Sequence, residues 1–187
     1  FQRFMAELYT MLHPKNLQVS VNVPASNPAF DYRKLANNAD QVILMVYDEH
    51  WATGQPGPIA SLPWFAKVLR ERQRDVPADK TIVAIGNYAY DWEQGHPAEE
   101  RTFEEAALVA KESEGDIHLD QASLNPTFDY ADDNDHIHHV WMLDAVTAFN
   151  QIVVAQSVRP RGFALWRLGS EDPALWKVFG TGIQAKQ

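Results

Sequence analysis

The sequence predicts an α/β fold built on parallel strands, and three observations carry that reading. Residues 41–51, Gln-Val-Ile-Leu-Met-Val-Tyr-Asp-Glu-His-Trp, form an apolar run that stops abruptly at Tyr47, Asp48, Glu49, His50 and Trp51. A strand covered on both faces reads as such a run rather than as alternation, and in enzymes built on such strands the functional side chains sit at their carboxyl ends. The pattern recurs three times. Leu17 to Val23 runs into Pro24-Ala25-Ser26-Asn27, Thr81 to Ile85 into Gly86-Asn87-Tyr88-Ala89-Tyr90-Asp91-Trp92, and Gly162 to Leu165 into Trp166-Arg167-Leu168-Gly169. Each run follows a helix-like segment, and all four end in aromatic, amide, acidic or Gly/Pro-rich residues, so one edge of the sheet carries the site.

The elements follow in order. Phe1, Phe4, Met5, Leu8, Met11 and Leu12 recur at helical spacing, and His13-Pro14 closes that helix before the first strand. Tyr32 to Ala39 is a short helix leading to the second strand. Ser61 caps a helix through Arg74, with Pro63 in its first turn and Phe65, Val68 and Leu69 on its inner face. The third strand then enters an insertion, Glu93 to Arg161, too long for a plain crossover. Thr102 with Glu105 three residues on is a capping-box spacing that opens a helix to Glu112. Short strands follow at Asp116 to Leu119, Thr127 to Tyr130 and Ile137 to Trp141, separated by Asn125-Pro126 and Asp132-Asp133-Asn134-Asp135. Val146 to Ser157 is the next helix, with Phe149, Ile152 and Val153 inward, and Glu171 to Phe179 is the last, with Leu175, Trp176 and Phe179 as its apolar side. The order is α-β-α-β-α-β, a small α+β subdomain grown from one loop and walling one side of a cleft, then β-α. Parallel strands with right-handed crossovers are expected.

Composition bounds the function. The 187 residues, 45% hydrophobic with six Trp and six Tyr, suffice for a substantial core. A formal charge of −9 argues against a nucleic-acid partner, because phosphate binding needs clustered Lys and Arg. Arg70, Arg72 and Arg74 read as one solvated helix face. No run reaches the length of a membrane span, and with no Cys there are no disulfides and no thiolate chemistry. The chain opens at Phe1 in mid-helix, and four strands cannot close a barrel that needs about eight. The expectation is a piece of a larger protein.

Several candidate sites are set aside. Asp48 and Glu49 are adjacent strand residues that point to opposite faces, so they cannot flank one bond. His136, His138 and His139 near Asp132, Asp133 and Asp135 invite a metal site, but the polar run reads first as a tight exposed turn, and no metal is expected. An EF-hand is excluded because Ile137 stands where the loop needs Gly. Gly54 and Gly57, flanked by Pro56 and Pro58, are turn glycines. Asp144 reads as the cap of the following helix rather than as a substrate contact.

Taken together, Tyr47-Asp48 at a strand end, Trp166 at the end of the last strand, Thr127-Phe128-Asp129-Tyr130 and Val140-Trp141-Met142-Leu143-Asp144 resemble the carboxyl-terminal half of a glycoside hydrolase family 18 barrel. The His50-Trp51 that completes the strand-end stretch, Gly57-Pro58 and Leu62-Pro63-Trp64 narrow the resemblance to the bacterial cell-envelope branch, which includes spore-cortex-lytic N-acetylglucosaminidases and domains fused to glycosyltransferase or polysaccharide deacetylase domains. The resemblance implies a partial (β/α)8 TIM barrel, about the last four strands. Residues 1–92 and 162–187 would form the half-barrel, and residues 93–161 the α+β insertion subdomain and connecting helix.

It also implies substrate-assisted, retaining hydrolysis of β-linked N-acetylglucosamine polymers, chitin-like or peptidoglycan-like, with no cofactor. In that chemistry one Glu protonates the leaving oxygen while the substrate's acetamido oxygen attacks the anomeric carbon. The Glu closes a D-x-x-D-x-D-x-E motif that these 187 residues do not contain, and it is expected upstream. The roles implied here are catalytic for Tyr47, which donates to the acetamido oxygen, and for Asp48, which binds a sugar hydroxyl and helps hold Tyr47. Substrate contacts are expected from His50, Trp51, Asn87, Tyr88, Tyr90 and Trp166, the last as the apolar floor of the cleaved sugar's subsite. A half-barrel leaves open edges, so pairing with the missing half or homodimerisation is expected. Location outside the cell or in its envelope follows by resemblance alone. Two alternatives stand beside this reading: a carbohydrate-binding module of the same fold that lacks the acid, and an α/β interaction domain whose strand-end aromatics meet a protein.

Overall fold

The structure, a computed structural model, describes residues 1–182, with side chains through residue 180. In chain order its elements are α1 (Gln2–Leu12), β1 (Ser20–Pro24), α2 (Tyr32–Asn37), β2 (Gln41–Met45), α3 (Leu62–Arg72), β3 (Thr81–Gly86), β4 (Ala89–Glu93), β5 (Glu99–Arg101), α4 (Phe103–Glu112), β6 (His118–Leu119), β7 (Pro126–Ala131), β8 (Ile137–Met142), α5 (Ala145–Ala155), β9 (Gly162–Trp166) and α6 (Leu175–Gly182). They build two sheets. The first is parallel, in the order β1-β2-β3-β9, and the second is antiparallel, in the order β5-β4-β8-β7-β6. None of the described helices is long and apolar enough to cross a membrane.

Register in the parallel sheet positions everything else. Pro24 pairs with Met45, Met45 with Ala84, and Gly86 with Trp166, so the carboxyl ends of all four strands share one edge. Along β2, Val42 and Leu44 are fully buried whereas Ile43 and Met45 are half-buried. Val21, Val23, Val42, Leu44, Val83 and Ile85 pack against Leu35, Phe65, Leu69 and Ile152 of the helices, a layer whose apolar burial dominates stability. Ile43 and Met45 point the other way, toward a cluster containing Tyr47, Tyr88 and Tyr90. The continuous apolar run therefore has one tightly covered face and one more open face.

Capping at Ser61, Thr102 and Asp144 follows the expectations, and Asp31 adds a cap that is not among them. Asp31, Ser61, Thr102 and Asp144 each accept from a backbone N–H of the helix that they open, and Thr102 with Glu105 forms a reciprocal capping box. Other details differ. α5 turns Ala145, Ala148, Gln151 and Ile152 inward, leaving Phe149 and Val153 about half exposed at 50% and 49%. Two helical stripes compete in that segment, and the small-residue stripe lets α5 approach closely, which wins over residue size. Phe1, Phe4, Met11, Leu17 and Trp176 are likewise exposed. Arg72 is not on a solvated face: its guanidinium carbon lies 3.9 Å from the centre of the Tyr32 ring. The second sheet also recruits Ala89–Glu93 and Glu99–Arg101, segments that the sequence leaves as loop.

Asn125 joins the two halves of the molecule. Fully buried, it accepts from Ala60 N and donates to Ala60 O, both at 3.0 Å, imitating a strand's pairing with the loop after β2. Removing the amide strands the buried Ala60 N–H, so Asn125→Ala is expected to cost about 2–4 kcal/mol in urea unfolding. Asp144→Ala, which loses one cap, is expected to cost about 1 kcal/mol. Equal, small losses for both would contradict this account.

Candidate active site

The chain leaves β2 in line, Val46 N donating to Ala84 O at 3.0 Å, and then turns at Asp48, whose φ is 62°. Asp is among the residues that tolerate this left-handed region. The turn brings the Asp48 carboxylate under two phenols. Tyr88 donates to Asp48 Oδ1 at 2.5 Å and Tyr90 donates to the same oxygen at 3.2 Å. Among the described residues no protein donor reaches Asp48 Oδ2. The rings of Tyr47, Tyr88, Tyr90 and Trp92 follow one another edge-to-face, with centroid separations of 6.1, 5.2 and 5.3 Å. Gly86 makes room for them, since a Cβ there would lie 2.8 Å from Tyr88 Cε1 and from Leu143 Cδ1.

Burial first, and the negative charge of Asp48 second, push the Tyr47, Tyr88 and Tyr90 phenols well above the ordinary tyrosine range. All three therefore remain proton donors at any physiological pH. Asp48 holds Tyr88 and Tyr90 rather than Tyr47, contrary to the expected pairing, and Tyr47 meets the group through its ring.

Trp166 closes the same edge, about half exposed at 48% and joined to Arg167 by a cis peptide bond. Asn87 secures that junction, its backbone N–H donating to Trp166 O at 2.9 Å and its Nδ2 to Arg167 O at 2.8 Å. Asn87 is thus a buried brace between β3 and β9. Trp51 lies on the outer loop, exposed, with Nε1 donating to Thr53 Oγ1 at 3.1 Å. Among the described residues no ring contact links it to the tyrosines. His50 turns into its own loop: Nδ1 is 2.9 Å from Pro58 O, and a Cβ on Gly57 would strike its ring at 2.6 Å. Glu49 is fastened as well, accepting from Ser61 N at 2.7 Å.

Sequence reasoning missed Asp91. Its carboxylate, 1% exposed, accepts from Arg101 Nε and Tyr130 OH, each at 2.8 Å, and lies 2.8 Å from His138 Nδ1. The signal was the alternation Tyr88, Tyr90, Trp92, which announces a strand and assigns Asp91 to its other face. His136 and His139 pair with Glu93 and Asp129, at 2.9 and 2.8 Å. Among the described residues no group of three or more His, Asp or Glu is placed to hold a metal. Beside the tyrosines, a groove of about 1080 Å³ separates the loop at 53–56 from the antiparallel sheet.

Comparisons with known proteins agree with this architecture. The family model for glycosyl hydrolases family 18 matches residues 1–171. An uncharacterized glycosylase, YvbX, of Bacillus subtilis is 28% identical, over 98% of this chain and 57% of its own length. The cortical fragment-lytic enzyme of the same organism is 25% identical, over 94% and 44%. The chain thus spans about half the length of these curated relatives. Among solved structures, a chitinase from Chromobacterium violaceum superposes with a TM-score of 0.91 at 27% identity, covering all of this chain and 62% of that one. The spore cortex-lytic enzyme SleL of Bacillus megaterium gives 0.85 at 24% identity, covering 96% and 44%. The parallel sheet here is the corresponding part of that α/β, barrel-like fold.

The tyrosine cluster predicts a pH dependence. Phenols held protonated in the fold, but free to ionise near pH 10 when unfolded, contribute stability that is intact below about pH 10 and is lost as pH rises above it. Tyr88→Phe is expected to flatten that alkaline loss in urea midpoints. An unchanged slope would contradict the buried, proton-holding role of Tyr88.

Proposed function

The chain belongs to glycoside hydrolase family 18, and on that premise we propose that it forms part of a hydrolase of β-linked N-acetylglucosamine polymers. The observation that carries the reading is Asp48, held by Tyr88 and Tyr90 beside Tyr47 at the shared edge of the parallel strands. Residues 1–92 and 162–182 act as the barrel portion, residues 183–187 of the expected half-barrel lying outside the described residues, and 93–161 supply the insertion that walls the cleft and the connecting helix. The remaining strands of the barrel cover the outer edges of β1 and β9.

In the reaction, the acetamido oxygen of the bound sugar attacks its own anomeric carbon as the leaving oxygen takes a proton from a carboxylic acid outside these 187 residues. Tyr47 donates a hydrogen bond to the acetamido group as charge develops on the forming ring. Its buried, strongly protonated phenol suits a donor that must not itself ionise. Asp48 accepts a sugar hydroxyl on Oδ2, while Tyr88 and Tyr90 fix its carboxylate through Oδ1. Trp166 offers its exposed indole face to the C–H face of the pyranose, with Asn87 holding the turn behind it. Trp51 provides a further platform on the rim, and His50 shapes the loop that carries it. The names of the relatives, cortical fragment-lytic enzyme and spore cortex-lytic enzyme, support action on a cell-envelope polymer outside the cytoplasm.

A second reading is kept because residues 1–187 contain no D-x-x-D-x-D-x-E run: a carbohydrate-binding module of the same fold. The test is release of reducing ends from N-acetylglucosamine oligomers by the full-length protein. Turnover that Tyr47→Phe lowers by about 10²–10³ in kcat is expected. Binding without turnover by a folded full-length protein would favour the module, and neither binding nor turnover would defeat both.

A further inference from the structure

Glu49, which the sequence leaves without a role beside Asp48, is held in a way that bears on Asp48 itself. Tyr88 and Tyr90 fix the Asp48 carboxylate at one oxygen, Oδ1. One point of attachment lets the carboxylate swing about it, so the direction of Oδ2 depends on where the Asp48 backbone stands. That backbone lies in the left-handed region, φ 62°, where a residue with a Cβ stays only when its surroundings hold it. The residue next in the chain, Glu49, supplies that hold.

Glu49 is fastened twice to one short segment. Its N–H donates to Ile59 O at 2.8 Å, and its Oε2 accepts from Ser61 N at 2.7 Å. Ala60, between them, turns its peptide groups the other way, as alternate residues of an extended segment do. Ala60 N donates to Asn125 Oδ1 and Asn125 Nδ2 donates to Ala60 O, each at 3.0 Å, while Gln151 Nε2 donates to the same carbonyl at 3.3 Å. Residues 59–61 are therefore the middle of a three-part ladder, with Glu49 on one edge and Asn125 on the other. Ile59, Ala60 and Asn125 are fully buried, and Ser61 is the N-cap of α3, so the ladder stands on a helix. Asn125 is locked in turn, its N–H donating to Ser123 Oγ at 3.2 Å and its carbonyl accepting from Asp120 N at 3.1 Å.

We propose that Glu49 and Asn125 are positioning residues for Asp48, acting through residues 59–61 to set the direction in which Asp48 offers Oδ2 to a sugar hydroxyl. This rests on the function proposed above. Neither side chain has to touch the sugar. Glu49 works as an acceptor for a backbone N–H rather than as an acid, so an uncharged side chain with an oxygen at the same place can replace it. Asn125 belongs to the insertion, which thereby sets the geometry of the edge as well as walling the cleft. Small displacements of such a group are costly, because a hydrogen bond weakens steeply once its angle and length leave the preferred range.

The test uses the full-length protein and a thiazoline analogue of the oxazolinium ring, whose affinity is measured by calorimetry. Glu49→Ala is expected to weaken binding about 10-fold, the scale of one hydrogen bond to a charged group, and Glu49→Gln to stay within about 2-fold of the native protein. Asn125→Ala, measured at a temperature where the variant is fully folded, should weaken binding in the same direction as Glu49→Ala. Asp31→Ala, which loses the cap of α2 and has no contact with residues 59–61, controls for a general loss of stability and should leave affinity unchanged. In an Asp48→Ala background, Glu49→Ala should have no further effect, since its action passes through Asp48. A crystal structure of Glu49→Ala is expected to show the Asp48 carboxylate turned about its contact with Tyr88. An undiminished loss in the Asp48→Ala background, failure of Glu49→Gln to restore affinity, or an unmoved Asp48 in the Glu49→Ala crystal overturns the inference. If the native protein does not bind the analogue, the hydrolase reading falls, and the position of Asp48 in the crystal decides the positioning role on its own.

Discussion

One carboxylate oxygen joins the two sheets of this chain. Asp48 belongs to the turn after β2, while Tyr88 and Tyr90 stand at the start of β4, where the chain leaves the parallel sheet for the antiparallel one. Their two hydrogen bonds to Oδ1 fix where the second sheet begins relative to the first. Hydrogen bonds to a carboxylate are stronger than those between neutral groups. The same bonds engage Oδ1 alone, so among the described residues Oδ2 has no protein donor and is the atom to which the proposed function assigns a sugar hydroxyl.

Other contacts reinforce the junction from different directions. Asn125 grips Ala60, at the far end of the loop that begins with Asp48, and Glu49 accepts from the neighbouring Ser61. Asn87 ties the end of β3 to the end of β9. Asp91, one residue beyond Tyr90 and on the opposite face of β4, is tied to Arg101, Tyr130 and His138. A strand carrying the Tyr90 contact to Asp48 on one face and a buried ionic network on the other has little freedom to shift, and such rigidity suits the role proposed for the site.

How much of this was legible depended on the distance over which each signal acts. The four parallel strands could be read because burial writes itself into consecutive residues, and the caps at Ser61, Thr102 and Asp144 because each acts within one helical turn. Tyr47, Asp48 and Trp166 stood out as polar or aromatic residues at the ends of apolar runs. The braces could not be read this way. Asn125 looks like a turn residue before Pro126, and only its contact across 65 positions reveals its work. Ala89–Glu93 looks like a loop because four of its five residues are polar or aromatic with a polar tip, and it is a strand because Asp91 finds partners that lie far along the chain. The face of α5 was misjudged for a related reason: side-chain size suggests the Phe149 stripe, but packing distance favours the alanines.

The central claim is that the Tyr47–Asp48–Trp166 edge receives an N-acetylated sugar. The most direct test is a crystal structure of the full-length protein with a thiazoline analogue of the oxazolinium ring. The account predicts the ring nitrogen or sulfur against the Tyr47 hydroxyl, a sugar hydroxyl on Asp48 Oδ2 and the pyranose over Trp166. An analogue bound elsewhere, with Asp48 still in contact only with Tyr88 and Tyr90, would contradict it.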